Sequence, residues 1–541
     1  MRGSRAVRAG TLVVGVAMAA AAVTGTASAA PGGAGVRAAE VATTAAVKWG
    51  ECTKDQLAGV PADQVKLYSC ARYGVPIDHD DASLGTIDIA LMKRAAKVPG
   101  QRVGSLFLNP GGPGGSGLTM PTAADQYFQP QVADRFDLIG FDPRGVGESN
   151  PLRCFTTAED AADVQGALVP VPLSRTEISG TLAAYRDYGE FCHRNAGALL
   201  DHMSTRDVVR DLDTLRAAVG DRQLTYVGFS YGTLIGSTYA AMFPEQTRAI
   251  VIDGNVDPQL RTNDGVTYDL GRAQGFEISL DAFLKRCGEA GKACAFSSGT
   301  PRAKFDELRE HLRTEPITLP DGSKLNLSAL TSLVSGALYS PASFPQLGEA
   351  LQQAYDVLHP SAQSQSRGKS AFAGLPTHGG VADVRPDSPY TADDSYFGVN
   401  CADKPIGISQ DQVPGIAADA DRQSPTFGRY QVFSDIAACP VWPAATTSDP
   451  YRGPWQSHTA TPVLVVSNYY DPATQYKFGQ RMAAELGNSR LLSVDAFGHC
   501  ILGDSQGVDD ATAAYLIDLK VPADGQVFQP DVQPFSTPEK S

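Results

Sequence analysis

The chain predicts an α/β architecture: a mostly parallel central sheet with helices on both faces, broken by a large, mainly helical insertion. Three observations carry this. Short apolar runs bounded by turn residues recur at 103–108, 136–141, 224–229 and 249–252, and resume at 463–466 and 491–494. A helical pattern separates the second run from the third. Between Gly254 and about residue 460, on the order of 200 residues interrupt the strand signal altogether.

The N-terminus comes first. Arg2, Arg5 and Arg8 precede an apolar stretch at 11–23, and Ala27-Ser28-Ala29 supplies small residues at a cleavage position. This is the pattern of a secretory signal peptide over residues 1–29, and the apolar run falls short of the roughly 20 residues a spanning helix needs. There is no twin-arginine pair, and the first cysteine, Cys52, lies too far on for a lipid anchor. Residues 30–45 are small and unpatterned, which predicts a flexible arm or a processed pro-segment.

Ile87, Ile89 and Leu91 then alternate with Asp88 and Ala90, the period of a half-buried strand. The runs that follow are apolar at nearly every position, as strands covered on both faces are. Before the third run, Ser204 or Thr205 can cap a helix with Asp207 in its first turn, and Val208, Leu212, Leu215 and Val219 recur at helical spacing. A final helix is expected around 510–519. The insertion carries amphipathic stretches at 278–285, 304–313 and 344–358 and a Ser/Gly/Pro-rich passage at 360–389. It reads as a lid over 255–460, set between a first core part at 46–254 and a C-terminal core part at 461–541.

Composition narrows the function. The 541 residues are 43% hydrophobic and 19% charged, with a net charge of −14. That excess of acid opposes a nucleic-acid partner and a polybasic hold on membrane. Nine cysteines in an exported chain predict disulfides. Successive members pair as 52–70, 154–192, 287–294 and 401–439 and leave Cys500 alone. Without a C-x-x-C or a paired-histidine motif, neither a metal nor another cofactor is expected.

The motif that carries chemistry is Gly228-Phe229-Ser230-Tyr231-Gly232, a strand running into Gly-x-Ser-x-Gly and then a helix. A nucleophile on so sharp a turn is pushed out at the sheet's edge, and glycine suits the crowded flanking positions. A serine hydroxyl needs a base, and the base needs an orienting acid. In the α/β-hydrolase fold these follow in the order Ser, Asp or Glu, His. His499, in the loop after the last strand run, is the base candidate, whereas His458 suits the surface. Asp471, after the preceding strand, is the acid candidate. Its competitor Asp495 ends the strand that leads to the histidine. Thr474 can either bond the Asp471 carboxylate or cap a helix.

After the first buried strand comes Asn109-Pro110-Gly111-Gly112-Pro113-Gly114-Gly115-Ser116-Gly117, nearly bare backbone. Its N–H groups, with that of Tyr231, can form an oxyanion hole. Phosphate binding is the rival, but a P-loop's Gly-Lys-Ser/Thr is missing. The loop at 140–149, GFDPRGVGES, has the wrong glycine spacing for a dinucleotide and reads as a brace.

Together NPGGPGGSG, GFDPRGVGES, GFSYG, YYDPAT and FGH resemble the proline-iminopeptidase-like serine peptidases of the α/β-hydrolase superfamily. They are most similar to the secreted tripeptidyl aminopeptidases of actinobacteria, over residues 47–520. The histidine that the wider family carries before the glycine loop is Pro110 here. The resemblance implies Ser230 as nucleophile, Asp471 as acid, His499 as base, and Gly112 and Tyr231 as oxyanion donors. It further implies acidic lid residues for the substrate ammonium, with 400–403 as a candidate segment. The expected activity is release of short peptides, tripeptides among them, from free N-termini. A secreted esterase or amide hydrolase with the same triad is the alternative. A non-catalytic binding protein is disfavoured, because every catalytic element is present. Cys500 is expected to be a buried, free, non-catalytic thiol.

Overall fold

The computed structural model describes residues 45–360, 371–372 and 388–536. The expected signal segment, nearly all of the 30–45 arm and most of the 360–389 passage lie outside them.

Each apolar run becomes a strand. The strands are β1 (Tyr68–Pro76), β2 (Thr86–Arg94), β3 (Gly104–Asn109), β4 (Phe136–Phe141), β5 (Leu224–Phe229) and β6 (Thr247–Asp253). A two-stranded ribbon, β7 (Ile317–Thr318) with β8 (Lys324–Leu325), stands apart, and β9 (Val463–Tyr470), β10 (Ser489–Phe497) and β11 (Val527–Phe528) complete the set. Nine of them form one sheet in the order β1-β2-β4-β3-β5-β6-β9-β10-β11. β2 runs antiparallel to both β1 and β4, and every other neighbouring pair in the sheet is parallel.

The two-residue period of a strand sorts the core into two layers. Phe107, Ile139, Tyr226, Ile250, Ile252, Val463 and Val465 join one buried cluster. Their neighbours Leu106, Leu108, Leu138, Val227, Val251, Leu464 and Val466 join another. The first layer is covered by the helices Thr205–Ala218, Gly232–Met242 and Tyr476–Leu486, the second by Pro130–Arg135 and Gln506–Asp518. Ser204 caps the first of these helices by accepting from Asp207 N–H.

Between Asp253 and Val463 the chain is largely helical, with long helices Gly265–Ala290, Pro301–Thr314, Leu327–Leu338 and Phe344–Leu358. They bury a core of their own, in which Phe276, Phe283, Phe305, Leu308, Val334, Phe344 and Leu347 are fully enclosed. The helix Arg175–Asn195, which precedes the nucleophile in the chain, packs against the later part of this insertion in a separate cluster, and together they form a roof. Leu182 and Tyr185 of that helix pack with Val413, Ala417, Val432 and Phe433, and Tyr185 Oη donates to the Phe433 carbonyl at 2.9 Å. The disulfides are Cys52–Cys70, Cys154–Cys192, Cys287–Cys294 and Cys401–Cys439, and Cys500 is free. The last bridge ties the helix Ser395–Asp403 to the turn at Cys439–Val441.

Candidate active site

Ser230 stands where β5 meets the helix Gly232–Met242, with φ at 55°. A non-glycine residue there is strained, and the surroundings hold it in place. A Cβ on Gly228 would lie 2.4 Å from the Gly232 carbonyl oxygen, so the turn closes only with glycine. Ser230 N–H donates to the Asp253 carbonyl at 2.9 Å, and the Ser230 carbonyl accepts from Thr233 N–H and Oγ1 at 2.9 and 2.6 Å.

His499 and Asp471 come together from the loops after β10 and β9. Nδ1 of His499 lies 2.9 Å from Asp471 Oδ2 and 3.0 Å from Oδ1. Asp471 is fully engaged. Its Oδ1 accepts from the N–H groups of Ala473 and Thr474 at 2.9 and 2.8 Å, and its Oδ2 accepts from Thr474 Oγ1 at 2.9 Å. Its side chain is 1% exposed and that of His499 10%. Burial works against an imidazolium, yet the adjacent Asp471 carboxylate outweighs it and holds the His499 pKa above its ordinary value. Tyr339 meets the imidazole edge-on at 5.1 Å and accepts the His499 N–H through its carbonyl. Asn468 Nδ2 donates to the carbonyls on either side of the histidine, those of Gly498 and Cys500.

One residue that no sequence motif marks ties the two halves together. Asp253 ends β6; its carbonyl receives Ser230 N–H, while its carboxylate Oδ2 accepts Ile501 and Leu502 N–H at 2.8 and 2.9 Å. Oδ1 has no partner among the described residues, and burial pushes the Asp253 pKa up to about 7. Cys500 Sγ donates to the same Asp253 carbonyl at 3.4 Å. Burial and the nearby Asp253 and Asp471 carboxylates push the Cys500 thiol well up, which disfavours the thiolate. The residue as a whole is partly buried and packs against the core layer that holds Ile501 and Leu502.

The glycine loop lies against the serine turn. Gly112 and Tyr231 line one small recess with Ser230, and neither N–H donates a hydrogen bond among the described residues. Two unspent backbone donors beside a helix N-terminus suit a developing oxyanion. The 140–149 loop braces this arrangement: Asp142 accepts from Ser116 Oγ at 2.6 Å, Leu118 N–H at 3.1 Å and Glu148 N–H at 2.8 Å. Asp495 lies instead beside a surface hollow with Arg286 and Gln533, and His458 is exposed.

The 400–403 segment takes roles other than the expected one. Asp403 Oδ1 accepts Thr205 N–H at 2.9 Å and its Oδ2 accepts Thr205 Oγ1 at 2.6 Å, while Tyr231 Oη lies 2.6 Å from that hydroxyl. The carboxylate thus clasps the roof to the core rather than facing substrate. Asn400 does line the recess beside Ser230, and its Oδ1 accepts from Arg261 at 2.6 Å.

The roof completes the site with residues no motif marked. The recess continues past Gly112, Arg272 and Tyr396 into a cavity of about 450 Å³ lined further by Tyr185, Phe276, Tyr339 and Tyr430. Tyr268, Arg272 and Phe276 project from one helix at intervals of four residues, a spacing visible in sequence but indistinguishable there from an ordinary buried face.

Two family descriptions match the chain, "alpha/beta hydrolase fold" over residues 104–276 and "TAP-like protein" over residues 424–527. The first takes in the glycine loop and Ser230, the second Asp471 and His499. The chain is similar to serine protease Hip1 of Mycobacterium tuberculosis, 32% identical over 88% of this chain and 90% of that protein. It is similar to a tripeptidyl aminopeptidase of Streptomyces lividans, 28% identical over 93% and 90% respectively. It is also similar to carboxylesterase B of Mycobacterium tuberculosis, 31% identical over 85% and 86%.

Proposed function

The chain belongs to the serine peptidases of the α/β-hydrolase family that carry a TAP-like C-terminal segment, and on that premise we propose that it is exported and cuts short peptides, tripeptides foremost, from free N-termini. Ser230 Oγ attacks the scissile carbonyl carbon as His499 Nε2 takes its proton. The carbonyl oxygen, now an anion, settles against the N–H groups of Gly112 and Tyr231. His499 returns the proton to the departing amine, leaving an acyl-enzyme. Water, deprotonated by the same imidazole, then releases the peptide and restores the serine. Asp471 keeps the Nδ1 proton in place throughout.

The observation that carries this reading is the walled cavity beyond Ser230. Its lining comes largely from the roof, and at about 450 Å³ it takes a short peptide rather than the middle of a polypeptide; no carboxylate lines it among the described residues, so the requirement for a free N-terminus is drawn from the tripeptidyl aminopeptidase relative alone. The test is a panel of peptide p-nitroanilides of one to four residues, each with a free and an acetylated N-terminus, beside short acyl esters. Free tripeptides should give the highest kcat/KM. Equal rates on acetylated peptides would refute the need for a free N-terminus. Turnover of esters alone would replace the peptidase reading with the esterase one, the activity named for the 31% identical relative.

A further inference from the structure

We propose that Arg272 selects substrates with a carboxylate close to the scissile bond, an acidic side chain on the acyl side of the peptide. The inference rests on the acyl-transfer reading of Ser230 given above. Arg272 lines both the recess that holds Ser230 and the larger cavity behind it, so it stands at the junction a substrate must pass. Among the described residues it is the one charged side chain lining that larger cavity, whose other polar side chains are hydroxyls and the amide of Gln431.

The carboxylates behind Arg272 do not reach the cavity. Asp269 is the ion-pair partner of Arg272, but at 3.6 Å, and both its oxygens lie 3.0 Å from Lys404 Nζ. Lys404 also binds Asp435. Asp403 is taken up by Thr205. These three carboxylates are buried and committed, so none of them lines the cavity. The Arg272 guanidinium makes no hydrogen bond among the described residues and remains 18% exposed. A forked donor with its N–H groups unspent, in a cavity lined by no other charged side chain among the described residues, fits a carboxylate in a bidentate grip. The same charge repels a lysine side chain placed there.

The helix that carries Arg272 is also held in place. Its helix, Gly265–Ala290, lies so near the acid loop that a Cβ on Gly275 would stand 2.9 Å from the Pro472 carbonyl oxygen. Gln475 Nε2 donates to the Gly271 carbonyl from the same loop. The position of Arg272 is therefore fixed relative to Asp471 and, through it, to His499.

The experiment compares kcat/KM of the full-length enzyme on free tripeptide p-nitroanilides carrying Glu, Gln or Lys in the last or the penultimate position. The two placements distinguish which side chain supplies the carboxylate. Wild type should favour Glu over Gln by about tenfold or more at one placement, the scale of a charge-assisted hydrogen bond, and should disfavour Lys. In Arg272→Gln the Glu-to-Gln ratio should fall to about one, and Arg272→Lys should keep part of it. A wild-type ratio of one or less at both placements overturns the proposal, as does a ratio that survives in Arg272→Gln. If Arg272→Gln does not fold, the wild-type ratios and Arg272→Lys decide. If no peptide is cleaved, p-nitrophenyl hemisuccinate against p-nitrophenyl butyrate poses the same question. A carboxylate preference there, lost in Arg272→Lys or Arg272→Gln, upholds the role of Arg272 while the peptidase reading fails.

Discussion

Replacing Asp471 with asparagine tests the site through the tautomer of His499. The two oxygens of Asp471 are not equivalent. Oδ1 accepts two backbone N–H groups, from Ala473 and Thr474, neither of which can turn away. An asparagine must therefore keep its carbonyl at Oδ1 and put its NH₂ at the Oδ2 position, 2.9 Å from His499 Nδ1. That amide donates, and because the oxygen at Oδ1 already serves two backbone N–H groups, the favoured imidazole accepts at Nδ1 and carries its proton on Nε2. The nitrogen meant to take the Ser230 proton then has no free lone pair. When the triad aspartate of a serine protease is changed to asparagine, kcat falls about 10⁴-fold, or roughly 5 kcal/mol of barrier, and we expect a loss of that order here. The pH profile should move as well. In wild type, kcat/KM should fall as pH drops through the raised pKa of His499, because the base must be neutral. Without the Asp471 charge, burial, the largest influence and one that lowers that pKa, is opposed by Asp253 alone, so the acid limb should shift to lower pH. The assay is kcat/KM against pH for Asp471→Asn and Asp495→Asn beside wild type. A plateau within tenfold of wild type in Asp471→Asn, a limb moved to higher pH, or a larger loss in Asp495→Asn would refute the assignment.

Ser230→Ala should lose about 10⁶ in kcat while unfolding at nearly the wild-type temperature, and wild-type-like turnover on any accepted substrate would sink the mechanism. Cys500→Ser should keep substantial activity, and thiol titration of the denatured, unreduced protein should find one group, mapping to residue 500. A disulfide at Cys500, or a folded but inactive serine variant, would overturn its non-catalytic role. Asp253 makes a prediction about stability. Its folded pKa of about 7 stands above the ordinary 3.8, so its contribution is fully present below about pH 4 and is lost as pH rises through 7. The stability of wild type relative to Asp253→Asn, read from urea unfolding, should therefore fall by up to about 1.4 kcal/mol per pH unit across that window and level off above it. A difference independent of pH would show that Asp253 titrates normally.

The parts legible in the sequence are those governed by short-range rules. The strands β3 to β6, β9 and β10 announce themselves because strands covered on both faces must be apolar throughout. GFSYG, YYDPAT and FGH are legible because turn sterics fix residue types at fixed spacing, and the structure brings Ser230, Asp471 and His499 to one edge of the sheet. Edge strands β1 and β11 were not foreseen, since their exposed residues carry no period. The full length of the helix Gly265–Ala290 was not foreseen either, because Gly271 and Gly275 weaken its helical signal while serving its close approach to residues 471–475. Arg272, Asn400 and Asp403 could not be sorted into lining, bracing and clasping roles by sequence. Those roles follow from partners on the order of 100 to 200 residues away, such as Thr205 for Asp403. Asp253 reads in sequence as the polar end of a strand and nothing more.

The way the roof and the site are stitched together sets a timetable for the working enzyme. The contact from Tyr185 to Phe433 spans 248 residues, and so does that from Asp253 to Ile501. A chain emerging N-terminus first can form the serine turn long before the histidine loop that serves it exists. The interval adds little to the entropy of final closure, since loop cost grows only with the logarithm of length, but such distant pairings come late in folding. The insertion, with a core of its own, is suited to fold in the meantime as a unit and so present Gly254 and β9 to each other. A chain cut anywhere before residue 499 therefore carries a strained serine with no base. Hydrolytic power arrives only once the histidine loop is in place.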